Sequence, residues 1–333
     1  QMSPRERHKA EIRKKSVSAY LGIEQGMPLK AFKALIESGG CPNFTPEWME
    51  SFSLIVFLFG GSGAKPMAFQ ALHHQRTDIF DYLLHHSQFD PMNKYNRFSL
   101  IHYAVYVKNT EAVRQLLLTQ PDIDRELFPE HRNVSLIKRV LDAGPEILQV
   151  FLERKVFLPD AVFSKGWGFS TPLLHCSENN TEMHTACAKL LFLHGAKPNL
   201  MMRHESILPL VKAYKAGNTQ LMSLLLSHNA NVEWVDSSGM SFIGRLISDG
   251  QWTLIQKLEL IESCRKVLAQ HIQGHILDET GSGIVSQLVT NDDWYLIEQL
   301  GMYPVCRNYW LRSREVDPAE SSFAGGSRWC ILL

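Results

Sequence analysis

The chain has 333 residues, 45% of them hydrophobic, and its 34 basic and 34 acidic side chains cancel. That is enough apolar material for one extended or two compact domains, and the balance excludes the global positive field of a nucleic-acid binder. Six cysteines show no metal-ligand or disulfide-framework spacing, so they read as reduced thiols of an intracellular protein.

Residues 1–15 form a basic arm, in which Arg5, Arg7, Lys9, Arg13, Lys14 and Lys15 face only Glu6 and Glu11. Such an excess suits an anionic membrane surface, or simply a solvated helix end. From 16 to 302 the chain repeats itself. Apolar groups recur at Tyr82-Leu83-Leu84, Leu116-Leu117-Leu118, Val150-Phe151-Leu152, Phe192-Leu193 and Leu224-Leu225-Leu226, with steps near 33 or 34 and one longer step of about 41. Each belongs to a predicted amphipathic helix of about eight to ten residues, too short to hold alone and expected to stack on a neighbour. Between them, Ser99-Leu100-Ile101-His102 and Thr171-Pro172-Leu173-Leu174-His175 open a second kind of helix with a capping hydroxyl. Glycine or asparagine at Gly39, Gly195 and Asn229 supplies the left-handed residue that ends a helix.

Two insertions interrupt the period. One near 44–64 starts at Thr45-Pro46-Glu47 and runs into the apolar stretch from Phe52 to Phe59, far shorter than a bilayer span. The other, near 262–276, adds about half a unit. Residues 178–184 lengthen one inter-helix loop. The pattern stops at 303, and residues 303–333 form a tail.

Reactive constellations are weak. Gly60-Gly61-Ser62-Gly63-Ala64-Lys65 is followed by Pro66 rather than a hydroxyl residue, which makes it a flexible turn and not a phosphate loop. His73, His74, His85 and His86 are adjacent pairs on helices; neighbours point about 100° apart, so at most one of each pair can converge. They read as surface or inter-repeat hydrogen-bonding groups. Cys176 beside His175 is adjacency without convergence. No enzyme, cofactor or metal is expected.

The repeating pattern resembles the ankyrin repeat, whose helix opening Thr-Pro-Leu-His is matched around Thr171-Pro172-Leu173 and whose helix break and closing leucines are matched at Ala216-Gly217-Asn218-Thr219 with Leu224-Leu225-Leu226. Units at 94–124, 166–199, 203–233 and 236–262 match best; those at 12–43, 65–93, 130–158 and 278–302 are degenerate, as capping units are. The resemblance implies an all-α ankyrin-repeat solenoid of about seven helix-turn-helix units with extra inserted helices. It also implies a non-catalytic scaffold whose turn tips and first-helix faces line a groove for a host or cellular protein. Carried over residue by residue, the partner-binding positions are Tyr95, Asn96, Phe98 and Tyr106, then Trp167 and Glu178, then His204 and Lys215. His102 takes the place of the family's structural histidine.

The chain ends Cys330-Ile331-Leu332-Leu333, which resembles a C-terminal prenylation box, and a final leucine points to geranylgeranylation of Cys330. The small residues Ser321 to Ser327 before it can reach an enzyme cleft. A prenyltransferase and a membrane surface are the implied partners, and no nucleic acid is. Divergent ankyrin arrays with such a box are similar to effectors of the type IV-secreted, Legionella-like class, and the acidic tail Ser313 to Ser322 fits their translocation signals. That implies delivery into a host cell and attachment to the cytoplasmic face of a host membrane. The alternatives are a eukaryotic ankyrin adaptor, cytoplasmic and membrane-anchored, and an effector with a cryptic enzymatic activity in the inserted segments.

Overall fold

A computed structural model describes residues 3–46, 65–90, 95, 98–119, 136–165, 168–201, 208–235, 240–273 and 283–315. Most of the insertion near 44–64, the tail beyond Glu315 with Cys330, and the three positions Asn96, Trp167 and His204 lie outside the described residues.

Short helices come in pairs. They are α1 (Pro4–Glu24) with α2 (Leu29–Glu37), α3 (Met67–His73) with α4 (Thr77–Leu84), α5 (Leu100–Tyr106) with α6 (Thr110–Thr119), and α7 (Leu136–Ala143) with α8 (Pro145–Glu153). A hairpin of β1 (Phe163–Lys165) and β2 (Gly168–Ser170) leads to α9 (Pro172–Ser177) and α10 (Glu182–Leu193). Then come α11 (Pro209–Lys215) with α12 (Thr219–Ser227), α13 (Phe242–Ser248) with α14 (Trp252–Lys257), the single helix α15 (Ile261–Gln273), α16 (Ile284–Thr290) with α17 (Trp294–Gln299), and α18 (Tyr303–Glu315).

The pairs stack in two rows. Helices α1, α3, α5, α7, α9 and α11 touch in order to form one row, and α2, α4, α6, α8, α10 and α12 form the other. The internal first-row helices α3, α5 and α9 are flanked on both sides and have apolar residues almost all round. In α3 the run Met67 to Leu72 is buried, and in α9 all of Pro172 to Ser177. Second-row helices bury one stripe: Ile79, Phe80 and Leu83 in α4, Leu221, Met222 and Leu225 in α12. Within a leucine triplet only one member need reach the core, so Leu116 is fully buried while Leu118 is 64% exposed. At the far end α15 packs on α13 and α14, and α18 on α16 and α17. None of the described helices is long and apolar enough to cross a membrane.

Helix ends repeat one geometry. The amide five residues on closes back onto the helix, as in Asn109 N–H to Ala104 O, Val156 to Phe151, Asn218 to Ala213 and Leu260 to Ile255, all at 3.0 Å. The residue just before each amide takes positive φ. Gly217 does so at φ 73°, but Lys108, Lys155 and Glu259 do the same at 54°, 54° and 58°. Several second helices of a pair then start from a polar side-chain cap. Asn109 Oδ1 accepts Ala112 N–H at 3.0 Å, Asn218 Oδ1 accepts Leu221 N–H at 2.9 Å, and Asp293 Oδ1 accepts Leu296 N–H at 2.9 Å.

Three local expectations need correction. Ser99 stands at the N-cap of α5, but its side chain makes no cap bond there; its Oγ lies 3.0 Å from His102 Nδ1 instead. The loop expected over 178–184 ends at Thr181, whose hydroxyl accepts His184 N–H at 3.2 Å and starts α10. The hairpin, with Phe163 paired to Ser170, adds a piece of strand to a chain expected to be all helix.

Asn218 is 4% exposed and joins two units, since its amide also donates to Thr185 Oγ1 at 3.0 Å and to Asn179 O at 3.3 Å. Asn218→Ala strands the Leu221 N–H and should cost about 1–3 kcal/mol of unfolding free energy, measured by urea denaturation. A loss below about 0.5 kcal/mol would mean that this amide does not tie the units together.

Candidate protein-binding face

The first-row helices all end at the same edge of the stack, and side chains at those ends meet across unit boundaries. Tyr103 on α5 brings its hydroxyl within 3.2 Å of His73 Nδ1 on α3, and Gln75 Nε2 donates to Val107 O at 3.1 Å. Further along, Lys212 Nζ on α11 donates to Glu178 Oε1 at 3.0 Å, and the Tyr214 hydroxyl donates to Asp249 Oδ2 at 2.6 Å. Every one of these contacts links consecutive units.

An aromatic line crosses the third unit. Phe69 on α3 lies 5.7 Å from Tyr95 and 5.2 Å from Tyr103, and Tyr103 lies 5.9 Å from Tyr106. Tyr95 and Phe98 exchange backbone hydrogen bonds at 3.0 and 2.8 Å. Both rings are half-buried. Tyr95 packs against Phe69, and Phe98 sits under the Arg139 guanidinium at 4.7 Å. Tyr106, in the last turn of α5, is 67% exposed.

The face turns ionic in the later units. Glu178 caps the end of α9 and is held by Lys212, with both side chains about one-fifth exposed, 23% and 20%. Lys215, the last residue of α11, is exposed and borders a shallow depression of about 620 Å³ with Tyr214, Thr219, Gln251 and Lys257. Among the expected positions the structure therefore brings Tyr95, Phe98 and Tyr106 together, and places Glu178 and Lys215 two and three units further along.

Sequence reasoning passed over Phe169, Lys212, Tyr214 and Asp249. Phe169 lies in β2 beside the buried Ser170 and is itself 56% exposed, with no sequence signal to mark it in so short a strand. The others follow from the repeat period, because residues about one unit apart are lateral neighbours: 34 residues separate Glu178 from Lys212, and 35 separate Tyr214 from Asp249.

The four histidines of the adjacent pairs do not converge. His73 goes to Tyr103, His74 to Gln70, and His85 to the Asp81 carbonyl. Asp142, His175 and His184 do meet at one point among the described residues. Burial pushes the Cys187 thiol up to about 12 and raises Cys176 well above the ordinary thiol range. That is the opposite of what a nucleophile needs.

Burial likewise pushes the Tyr103 phenol up, from its ordinary 10.0 to about 12, with neighbouring Tyr95 and Tyr106 adding to the shift. A raised pKa favours the neutral folded form. The stability it confers is therefore whole below pH 10 and is lost as pH climbs through 12. Alkaline unfolding followed from pH 9 upward should be shallower for Tyr103→Phe than for the unaltered chain; parallel curves would contradict this.

No family model matches the chain. The crystal structure of the ankyrin repeat domain of Bcl-3, a unique member of the IkappaB protein family, aligns with 68% of this chain and 91% of that one, at 20% identity and a TM-score of 0.50. That likeness establishes the fold as an ankyrin-repeat solenoid. The human ASB11 ankyrin repeat domain aligns over 68% of this chain and 90% of that one, at 18% identity and a TM-score of 0.47. In sequence, 89 residues are 33% identical to glycerophosphocholine phosphodiesterase gde1 of Schizosaccharomyces pombe; they make up 25% of this chain and 8% of that protein.

Proposed function

We propose that this chain is a non-catalytic protein-binding scaffold that docks a partner protein on the edge where the first-row helices end. The observation that carries the reading is Tyr106, 67% exposed at the end of an aromatic line otherwise packed into the stack. A tyrosine held by a rigid helix gives much contact area with little entropy to lose, which is what interface anchors share. Phe169, 56% exposed on the hairpin, is the second anchor. Lys215, exposed at the end of α11, supplies charge at the polar rim.

The proposal extends to location. Geranylgeranylation of Cys330 by a prenyltransferase would hold the scaffold at a membrane, on the cytoplasmic face of a host membrane for a bacterial effector. One lipid chain usually needs a second signal. The helix α1 offers one, because Arg5, Arg7, Lys9, Arg13 and Lys14 on it are all exposed. The scaffold reading rests on the exposed aromatics and the lipid reading on the Cys330 sequence, so each can fail alone.

Replacing both anchors, Tyr106→Ala with Phe169→Ala, should leave thermal unfolding unchanged and reduce recovery of the partner in affinity capture from host cells at least about 10-fold. Equal recovery of the same proteins by both forms would move the binding face elsewhere. For location, Cys330→Ser should shift a fluorescent fusion from membranes to cytosol. A fusion that stays on membranes would remove the lipid from the proposal.

A further inference from the structure

Three side chains from two successive units point into one spot. Asp142 is in the last turn of α7, His175 on α9, and His184 in the first turn of α10. These helices are mutual neighbours: α9 packs beside α7 in the first row, and α10 touches both. Asp142 Oδ1 lies 2.8 Å from His175 Nε2 and 3.6 Å from His184 Nε2. All three ligand atoms fall within 4.8 Å of one another. The imidazoles are buried, 4% and 8% exposed, while the carboxylate is 41% exposed.

We propose that Asp142, His175 and His184 form a zinc site that clamps the fourth and fifth units together. Two imidazole nitrogens and one carboxylate oxygen make a donor set suited to zinc and its late transition-metal relatives, and poorly suited to magnesium or calcium. Zinc bonds of about 2.0–2.1 Å in a tetrahedron place ligand atoms about 3.3 Å apart. The two distances from Asp142, 2.8 and 3.6 Å, straddle that value. The exposed side of Asp142 leaves room for water as the fourth ligand.

The surroundings are built for ligation. The Thr181 hydroxyl lies 2.7 Å from His184 Nδ1 and fixes the ring. With the ring proton on Nδ1 and donated to that hydroxyl, Nε2 presents a lone pair to the site. This Nε2 is more than nine-tenths buried and has no hydrogen-bond partner. Its nearest acceptor, at 3.6 Å, is beyond hydrogen-bonding distance. A buried ring nitrogen 3.6 Å from a carboxylate oxygen stands near the spacing of two atoms that ligate one metal ion. The other carboxylate oxygen, Oδ2, is held by Lys138 Nζ at 2.6 Å, which leaves Oδ1 as a single-atom ligand. Phe163 packs edge-on against the His175 ring at 6.1 Å, closing the apolar side.

The competing occupant is a proton. Protonated imidazoles would also pair with Asp142, and the experiment must separate the two. Full-length protein stripped with chelator is dialysed and titrated with zinc chloride, then in parallel with cobalt chloride. The proposal expects one equivalent of zinc retained through gel filtration by elemental analysis, a visible tetrahedral cobalt absorption, and a higher melting temperature with zinc. His184→Gln and Asp142→Asn should each lower zinc affinity at least 10-fold with unchanged far-ultraviolet circular dichroism, while His73→Gln with His74→Gln should have no effect. Failure of the unaltered chain to retain zinc or to give the cobalt band overturns the site, whatever the variants do. So does zinc retention that His184→Gln and Asp142→Asn leave unchanged.

Discussion

Every helix from α2 to α17 has thirteen residues or fewer, and several have six or seven. Helices of that length do not persist in water. They exist here because each is covered by the next unit, and that lateral burial sets everything else. It decides that first-row helices must be apolar on both flanks, as with the six successive buried residues of α3. It decides that second-row helices need only one stripe. It also fixes the helix ends, because every turn between them must close on itself without help from solvent-facing loops. Breaking the stack at one point therefore exposes the flanks of two units.

Lateral burial also explains which parts of the fold could be read from the sequence. The leucine groups at 116–118 and 224–226 mark second-row helices because a periodic array must repeat its core positions. First-row helices were visible from their start, at Ser99 and Thr171. The Thr171 hydroxyl caps its helix as expected, accepting Leu174 N–H at 3.3 Å, whereas the Ser99 hydroxyl goes to His102 rather than to the backbone. Helix ends were legible only where glycine or asparagine marks them. Lys108, Lys155 and Glu259 reach the same left-handed geometry with ordinary side chains, which costs each about 1 kcal/mol and leaves no sign in composition. Stacking over-determines the turn, so the array tolerates residues that a free helix end would reject. The hairpin Phe163–Ser170 was missed because three-residue strands carry too little alternation to detect.

The site divides in the same way. Tyr95, Phe98 and Tyr106 were nameable because they occupy repeat positions meant to face outward. Their division of labour was not, since it depends on tertiary neighbours: Phe69 and Tyr103 take up Tyr95, Arg139 takes up Phe98, and Tyr106 is left projecting. Contacts between units follow a rule that pattern-matching within one unit cannot show. Side chains that meet across a boundary lie about one period apart, 33 residues for Asp142 with His175 and for Asn218 with Thr185. A solenoid converts that sequence separation into adjacency, as a helix does for residues four apart.

Several charges on the candidate binding face are already paired along the stack, Glu178 with Lys212 and Asp249 with the Tyr214 hydroxyl. A partner that recruited Glu178 would have to replace a 3.0 Å contact with Lys212 at a site only one-fifth exposed, gaining little for the exchange. Lys215 is different because it is exposed. On the proposed docking reading, charge on this face would orient and steer an incoming protein more than bind it, and affinity would fall to the apolar surface of the third unit and the hairpin. The same stacking that makes the array rigid would then leave most of the binding energy to the exposed rings of Tyr106 and Phe169.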